Sequence, residues 1–124
     1  MLFTSYCFVL VPSRAPSNIR LSNLQSAEVK VQWNPLPQQY ANGRLLGYRV
    51  YFIEYPYYSY LEEIVNTSSA DVHMVILRDL KAAQRYRIRV AAFTSKGMGP
   101  LSYYWYITTG NLVKWSLLLK NKKN

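Results

Sequence analysis

Two aromatic residues, Trp33 and Tyr86, constrain the fold of this chain more than any other feature of its sequence. Trp33 closes an alternating run in which Val29 and Val31 share its face, the period expected of a half-buried strand. Tyr86 begins a second alternating run, residues 86–90. A tyrosine at the start of a late strand can turn its hydroxyl onto upstream backbone and fix the crossover between two sheets. The pair predicts a β-sandwich with large aromatic side chains in its core.

The size and cysteine content of the chain narrow the class of domain. A chain of 124 residues is long enough for one domain with its own hydrophobic core. Its single cysteine, Cys7, excludes an internal disulfide and a cysteine-based metal cluster. The usual disulfide-bonded immunoglobulin domain is therefore excluded, and Ile88 occupies the position of that domain's second cysteine.

The net charge of +9 suggests nucleic-acid binding, but its distribution argues against that function. Four of the fifteen basic residues lie in the last eleven positions, and residues 12–110 carry eleven Lys and Arg against six Asp and Glu, a balance of +5. No helix-turn-helix, zinc-finger or RNA-binding signature accompanies this charge. We therefore predict no nucleic-acid partner, and a mildly basic domain that attracts acidic protein surfaces or polyanionic sugars.

Turn residues divide residues 12–110 into about seven short segments with strand character, and no helical periodicity of useful length appears. The predicted strands are residues 18–21, 27–33, 46–54, 61–65, 72–77, 86–90 and 103–109. Asn42-Gly43 predicts a tight turn, residues 66–69 a loop and residues 96–100 a hairpin loop. The period of two predicts these inward-facing residues: Val29, Val31, Trp33, Tyr48, Val50, Phe52, Val75, Leu77, Tyr86, Ile88 and Val90.

Several motifs together resemble a complete fibronectin type III repeat. They are Pro-Ser-Arg-Ala-Pro at 12–16, Val-Gln-Trp-Asn-Pro at 31–35, Asn-Gly-Arg-Leu-Leu-Gly-Tyr at 42–48, Leu80 with Tyr86, and Gly-Met-Gly-Pro at 97–100. The resemblance covers about four-fifths of the chain and is strongest to repeats of cell-adhesion molecules and receptor-type tyrosine phosphatases. It implies an all-β fold, a seven-stranded immunoglobulin-like β-sandwich, and repeats that usually occur in tandem.

The flanks of the chain depart from this pattern. We expect residues 1–11 to be a non-domain N-terminal flank, 12–110 the fibronectin type III domain, and 111–124 a basic C-terminal flank. The apolar stretch in the C-terminal flank is far shorter than the roughly 20 residues that a membrane-spanning helix needs. The sequence therefore predicts no membrane span, and we interpret it as one repeat of a longer parent protein.

The sequence contains no arrangement of residues that would support catalysis. His73 and Cys7 lie far apart, with no orienting partner nearby in sequence. Glu62 and Glu63 are neighbours on a predicted strand and therefore face opposite sides of it. The sequence predicts no catalytic residue, no metal site and no cofactor, and so no enzymatic activity.

Three candidate sites remain. Asn66-Thr67-Ser68 matches the acceptor pattern for N-glycosylation, in a predicted exposed loop.

A candidate binding face comprises Arg85, Arg87 and Arg89 on one strand, with Arg49 and Tyr51 on its neighbour. We expect Tyr104 and Tyr106 on the outer face of the last strand to lie beside them. Arginine forks in such a patch grip carboxylates or sulfated polysaccharide, although charge that only keeps a sheet face soluble gives the same pattern. The tyrosine-rich residues 55–60 form either a recognition loop or a packing surface.

These observations favour a non-catalytic protein-binding and spacer module, at the cell surface or outside the cell, within an adhesion or receptor-type protein. Contacts with protein partners would come from the loops or from the sheet face. The alternative is an intracellular structural repeat of the kind found in muscle giant proteins. Glycan occupancy at Asn66 discriminates between the two hypotheses.

Overall fold

The computed structural model describes residues 10–56 and 61–110 as two antiparallel sheets packed face to face. The strands are β1 (Arg20–Asn23), β2 (Val29–Gln32), β3 (Leu45–Glu54), β4 (Glu63–Asn66), β5 (Met74–Leu77), β6 (Arg85–Thr94), β7 (Gly97–Met98) and β8 (Trp105–Thr108), with one short helix, α1 (Gln38–Ala41). The predicted all-β sandwich is confirmed.

The two sheets differ in width. The smaller has the order β1-β2-β5, and the larger has the order β4-β3-β6-β7, with β8 also paired to β6. Strands β3 and β6 pair antiparallel from Leu45 opposite Thr94 to Glu54 opposite Tyr86. Strands β7 and β8 pair with opposite ends of the same edge of β6. Strand β8 lies within the predicted last strand, residues 103–109, whereas β7 lies within residues 96–100, which were predicted as a hairpin loop. Because β7 and β8 share one edge of β6, the sandwich keeps seven strand positions.

The last strand is interrupted because its middle cannot continue the ladder. Pro100 has no backbone N–H to donate, and the Ser102 hydroxyl accepts the hydrogen bond of Val90 N at 2.9 Å. Ser102 N in turn donates to Val90 O at 2.9 Å. The chain thus stays beside β6 across the gap between β7 and β8 without regular pairing.

The core lies between the inner faces of the two sheets, where the period of two places it. Ten of the eleven residues predicted to face inward are buried, and Val75 is half-buried and packs against the same cluster. Trp33 has only 1% of its surface exposed, and its ring centroid lies 5.3 Å from that of Tyr48. Burial of this aromatic pair supplies a large share of the hydrophobic stabilisation.

Two local elements differ from the sequence-based expectation. Helix α1 was not predicted, because four residues are too few to show a helical period; it ends where Asn42 takes the left-handed conformation at φ 56° and ψ 38°. The hairpin between β6 and β7 has a shorter turn than the predicted loop at 96–100. Thr94 pairs with Gly97, so only Ser95 and Lys96 form the turn. Within the described part of the chain, no helix has the length and apolar character needed to cross a membrane.

The predicted tyrosine corner is present. Lys81 N donates a hydrogen bond to the Tyr86 hydroxyl at 2.9 Å. The Thr109 hydroxyl strengthens the same corner, since it donates to Lys81 O at 2.6 Å and accepts from Gln84 N at 2.9 Å. The connection between β5 and β6 is therefore attached both to the strand that follows it and to the end of the domain.

Substituting Tyr86 with phenylalanine should destabilise the domain without disturbing its core. The ring still fills its buried site, but Lys81 N loses its acceptor, which costs about 1–3 kcal/mol of the free energy of unfolding. Equilibrium urea denaturation measures this loss. Tyr103→Phe is the matched control, because Tyr103 is 91% exposed, and we expect it to change stability by less than about 0.5 kcal/mol. Equal midpoints for the two variants would show that the corner hydrogen bond contributes nothing.

An N-terminal strap, residues 10–13, crosses the opposite end of the sandwich. Three hydrogen bonds attach its backbone to the domain: Thr94 Oγ1 to Leu10 O at 2.6 Å, Asn42 Nδ2 to Val11 O at 3.1 Å, and Ser13 N to Tyr40 O at 2.8 Å. Pro12 is fully buried and packs on Gly99, where an added Cβ would lie 2.6 Å from the Pro12 Cβ. Leu10 and Val11, which precede the predicted boundary at Pro12, thus contact the domain.

Candidate functional site

The outer face of the larger sheet brings the predicted binding residues together. Alternation along β3 and β6 turns one set of side chains away from the core, and the register places Tyr51 opposite Arg89 and Arg87 opposite Tyr106. We refer to this face as the arginine–tyrosine surface. Its members are Arg49, Tyr51, Tyr55, Arg85, Arg87, Arg89, Tyr104 and Tyr106.

Arginine and tyrosine side chains alternate across this surface and stack on one another. The Arg85 Cζ lies 4.8 Å from the ring centroid of Tyr106 and 5.2 Å from that of Tyr55. The Arg87 Cζ lies 4.2 Å from the Tyr104 centroid, and the Arg89 Cζ lies 4.6 Å from the same ring. Each such cation–π contact is worth about 0.5–1 kcal/mol at an exposed site. The stacking holds the guanidinium groups in defined positions instead of leaving them on freely rotating stems.

The aromatic rings also contact one another. Tyr55 and Tyr106 meet edge to face, with their centroids 5.2 Å apart, and the Arg89 Cζ lies 5.6 Å from the Tyr51 ring centroid. Ile53 is paired opposite Arg87 and shares the outer face of β3, and it is only 8% exposed although it lies outside the hydrophobic core cluster between the sheets. The arginine–tyrosine surface therefore covers an apolar residue of its own and is a packed layer.

Glu62 is a member of this site that the sequence analysis missed. Both arms of the Arg89 guanidinium contact its carboxylate, with Arg89 Nε donating to Glu62 Oε2 at 3.2 Å and Nη2 donating to Oε1. Both side chains are mostly buried. The alternation of Glu62 and Glu63 indicated that one of them faces outward, but the pairing across 27 positions has no local signal. The positive charge of Arg89 is thus compensated within the domain.

Asn66 lies in a strand, so the loop predicted at residues 66–69 begins one residue later, at Thr67. It is the last residue of β4, paired opposite Arg49 of β3. Its Oδ1 accepts a hydrogen bond from Arg49 Nε at 2.7 Å, and its side chain is exposed as the sequence predicted. The candidate glycosylation residue and the edge of the arginine–tyrosine surface are therefore direct neighbours.

The other residues considered in the sequence analysis lie partly inside and partly outside the described ranges. Tyr55 belongs to the surface, whereas residues 57–60 of the tyrosine-rich loop lie outside the described residues, as do Cys7 and the C-terminal flank. His73 packs in the sandwich, where its ring centroid lies 5.8 Å from that of Tyr48 and its carbonyl accepts from Trp33 N at 3.2 Å. Across residues 10–56 and 61–110, no group of three His, Cys, Asp or Glu residues could hold a metal ion.

The shifted pKa values belong to residues outside the arginine–tyrosine surface. Burial raises the pKa of Tyr48, whose hydroxyl accepts from Leu36 N, and burial likewise raises the pKa of Tyr86 at the corner. A hydrogen bond to Glu54 raises the pKa of the Lys81 ammonium. The two tyrosine shifts follow from burial in the sandwich, and the Lys81 shift follows from an exposed ion pair with Glu54.

The net charge of the surface decides what it can bind. Among the described residues of the arginine–tyrosine surface and its border there are four arginines and one carboxylate, that of Glu62. A residual positive potential therefore faces solvent, next to tyrosine rings that offer apolar area. Such a surface can accept carboxylate or sulfate groups through the outward edges of its guanidinium forks.

Comparison with known proteins identifies the family. The family model for the fibronectin type III domain matches residues 14–108. The chain belongs to the fibronectin type III family. The fibronectin type III domain superposes on the solution structure of the third fibronectin III domain of the human KIAA0343 protein with a TM-score of 0.76 at 26% identity, over 82% of this chain and 86% of that one. The resemblance inferred from the motifs is confirmed.

The relatives of this fibronectin type III domain are much longer proteins. It is 48% identical over 99 residues to MAM and fibronectin type III domain-containing protein 1 of Acropora millepora, covering 80% of this chain and 23% of that protein. It is 38% identical to contactin-3 of Rattus norvegicus, covering 73% of this chain and 9% of that protein. The chain therefore spans less than a quarter of the length of these relatives.

The adhesion and phosphatase likeness is also confirmed by two proteins of Drosophila melanogaster. The domain is 34% identical to cell adhesion molecule Dscam1, over 73% of this chain and 5% of that protein. It is 32% identical to tyrosine-protein phosphatase Lar, over 75% of this chain and 4% of that protein. In adhesion proteins the fibronectin type III domain is a non-catalytic module.

Proposed function

We propose that this fibronectin type III domain is a protein-binding and spacer module in the extracellular part of a cell-adhesion or receptor-type protein. Its similarity to contactin-3 and to Dscam1 supports the adhesion context. The arginine–tyrosine surface supports a binding role and is the observation on which the proposal rests. The domain performs no covalent chemistry in this role, and recognition occurs on a rigid scaffold.

The composition and rigidity of the surface favour a protein partner. Tyrosine and arginine are enriched at protein interfaces and dominate their binding energy, whereas lysine is depleted there. Because the guanidinium groups are already stacked between rings, little side-chain entropy is lost when a partner binds. The excess of arginine over carboxylate makes an acidic protein segment the complementary partner.

Charge reversal at the exposed Arg85 is the direct test of this surface. Arg85→Glu should weaken binding of a glutamate-rich peptide at low ionic strength by about tenfold, or ~1.4 kcal/mol, because it replaces an attraction with a repulsion. Isothermal titration calorimetry or biolayer interferometry measures the change. Lys30→Glu is the matched control, since Lys30 lies on β2 in the opposite sheet and changes the net charge equally.

The outcomes separate the candidate ligands. An equal loss of affinity in Arg85→Glu and Lys30→Glu would show a non-specific charge effect and would contradict the proposed surface. Shortened retention of Arg85→Glu on immobilised heparin, with peptide binding unchanged, would replace the acidic protein partner with a sulfated polysaccharide. Antibody labelling of the parent protein on intact cells tests the location, and labelling that appears only after permeabilisation would favour the intracellular structural repeat.

A further inference from the structure

The end of β4 combines an exposed acceptor sequence with a firmly held backbone. Asn66 and Ser68 are exposed, whereas Thr67 between them is buried. The Thr67 hydroxyl donates to Ser69 O at 3.0 Å and accepts from Tyr48 N at 2.9 Å. The buried threonine therefore fixes the strand end, while the acceptor amide and the hydroxyl of Ser68 are presented to solvent.

The hydrogen bond from Arg49 determines the orientation of the Asn66 amide. A guanidinium can only donate, so the atom that receives Arg49 Nε must be the amide oxygen, Oδ1. Oδ1 thus faces β3. The amide nitrogen lies on the other side of the planar group and faces away from β3, beyond the arginine–tyrosine surface. A substituent on Nδ2 would leave the Oδ1 hydrogen bond intact and would extend outward from β4.

That direction leads across the open edge of the larger sheet. Strand β4 stands at the end of the sheet order and, among the described strands, pairs with β3 alone. It carries the exposed apolar residue Ile64 on its outer face. An open strand edge next to exposed apolar area is a template for pairing with a second chain, and natural proteins protect such edges.

We propose that Asn66 carries an N-linked glycan that covers the open edge of β4 and leaves the arginine–tyrosine surface accessible. The inference rests on the proposed extracellular function, because the modification requires passage through the secretory pathway. In the reaction, the Asn66 amide nitrogen attacks the anomeric carbon of a lipid diphosphate-linked oligosaccharide. A carbon–nitrogen bond forms, the carbon–oxygen bond to the diphosphate breaks, the amide loses one proton, and the lipid diphosphate leaves.

Secretion of the full 124-residue chain from mammalian cells, behind a cleavable leader, tests occupancy. We expect peptide N-glycosidase F to lower the mass of the secreted protein and to convert Asn66 to aspartate, as read by peptide mass spectrometry. Ser68→Ala is the matched control, because it destroys the acceptor pattern while keeping Asn66 and its hydrogen bond to Arg49. A secreted wild-type chain with no mass change would overturn the proposal.

Sedimentation velocity then tests the shielding of the edge. We expect the Ser68→Ala chain to self-associate with a dissociation constant about tenfold or more below that of the glycosylated chain, a difference of at least ~1.4 kcal/mol. Identical self-association of the two forms would overturn the shielding role. These two measurements are independent of any partner, so they decide the proposal even if the arginine–tyrosine surface fails to bind.

Binding of the glutamate-rich peptide tests the direction of the glycan. The glycosylated chain and Ser68→Ala should bind this probe with affinities within about twofold, or ~0.4 kcal/mol, of each other. A clear loss in the glycosylated chain alone would show that the glycan covers the arginine–tyrosine surface and would overturn the proposed direction. Absence of binding by both chains would count against the proposed function, while occupancy and self-association would still report on Asn66.

Discussion

Replacing Trp33 with alanine is expected to remove about 3–5 kcal/mol from the free energy of unfolding. The indole lies in the core, 1% exposed and packed against Tyr48 with the two ring planes tilted by 58°, and its removal leaves a cavity. Since small domains are stable by about 5–15 kcal/mol, this single change would consume a large fraction of the total. Urea denaturation followed by circular dichroism measures the loss.

Trp105→Ala is the matched control for this truncation. Trp105 loses the same atoms but is 47% exposed at the start of β8, so its removal leaves a partly solvated gap and should cost less than half as much. If the two variants lost equal stability, the core assignment of Trp33 would be wrong. If Trp33→Ala is not secreted or does not fold, Trp33→Phe provides a milder truncation at the same site.

Adding one methyl group at Gly47 is expected to be nearly as costly. A Cβ at this position would lie 2.8 Å from Thr67 Oγ1, 3.2 Å from Thr67 O and 3.3 Å from the Phe93 ring. Overpacking costs about 1–3 kcal/mol, and loss of the bond between Tyr48 N and the Thr67 hydroxyl would add a further 1–3 kcal/mol. We expect Gly47→Ala to lower the free energy of unfolding by about 2–6 kcal/mol, measured by urea denaturation.

A double-mutant cycle identifies the source of that cost. Thr67→Ala removes the hydroxyl that the new methyl group would meet, so the double variant should be less destabilised than the sum of the two single variants. The coupling should be about 0.5–3 kcal/mol. Strict additivity would mean that crowding against the Thr67 hydroxyl is not the cause.

The strand faces could be predicted from the sequence because each depends only on a local period of two. Val29, Val31 and Trp33 alternate with polar residues, and burial in the structure follows that alternation. Tyr86 could be assigned to a corner for a similar reason, since its hydroxyl bonds backbone only five residues away. Features whose cause lies within a few positions of the chain are visible in a single sequence.

The features that the sequence did not predict depend on tertiary contacts. The Glu62–Arg89 pair joins the residue just before β4 to β6, across the intervening strand β3. Asn66 belongs to a strand because Arg49 and the rest of β3 pair with it, although its own sequence suggests a loop. The hydrogen bonds of the N-terminal strap join residues far apart in the chain. Packing overrides weak local preference at these positions.

The candidate surface was only partly accessible to prediction for the same reason. Alternation indicated which arginines share a face, and it placed Tyr104 and Tyr106 near them. It could not show that the rings stack on the guanidinium groups or that Arg89 is neutralised by Glu62. A count of arginines from the sequence therefore overestimates the positive charge available to a partner. Arg85 is the exposed arginine of β6, so it is the residue to mutate.

The two points at which the ends of the domain are attached lie at opposite ends of β6, so the length of this strand sets the distance between them. Leu10 is held at the Thr94 end of β6, whereas Gly110 is held at the other end, where Ala83 N donates to its carbonyl at 2.9 Å. Ten residues of β6 separate these ends, a distance of about 33 Å at roughly 3.3 Å per residue. In a polypeptide that continues past both points, each copy of the domain would therefore add about 3 nm to the end-to-end length.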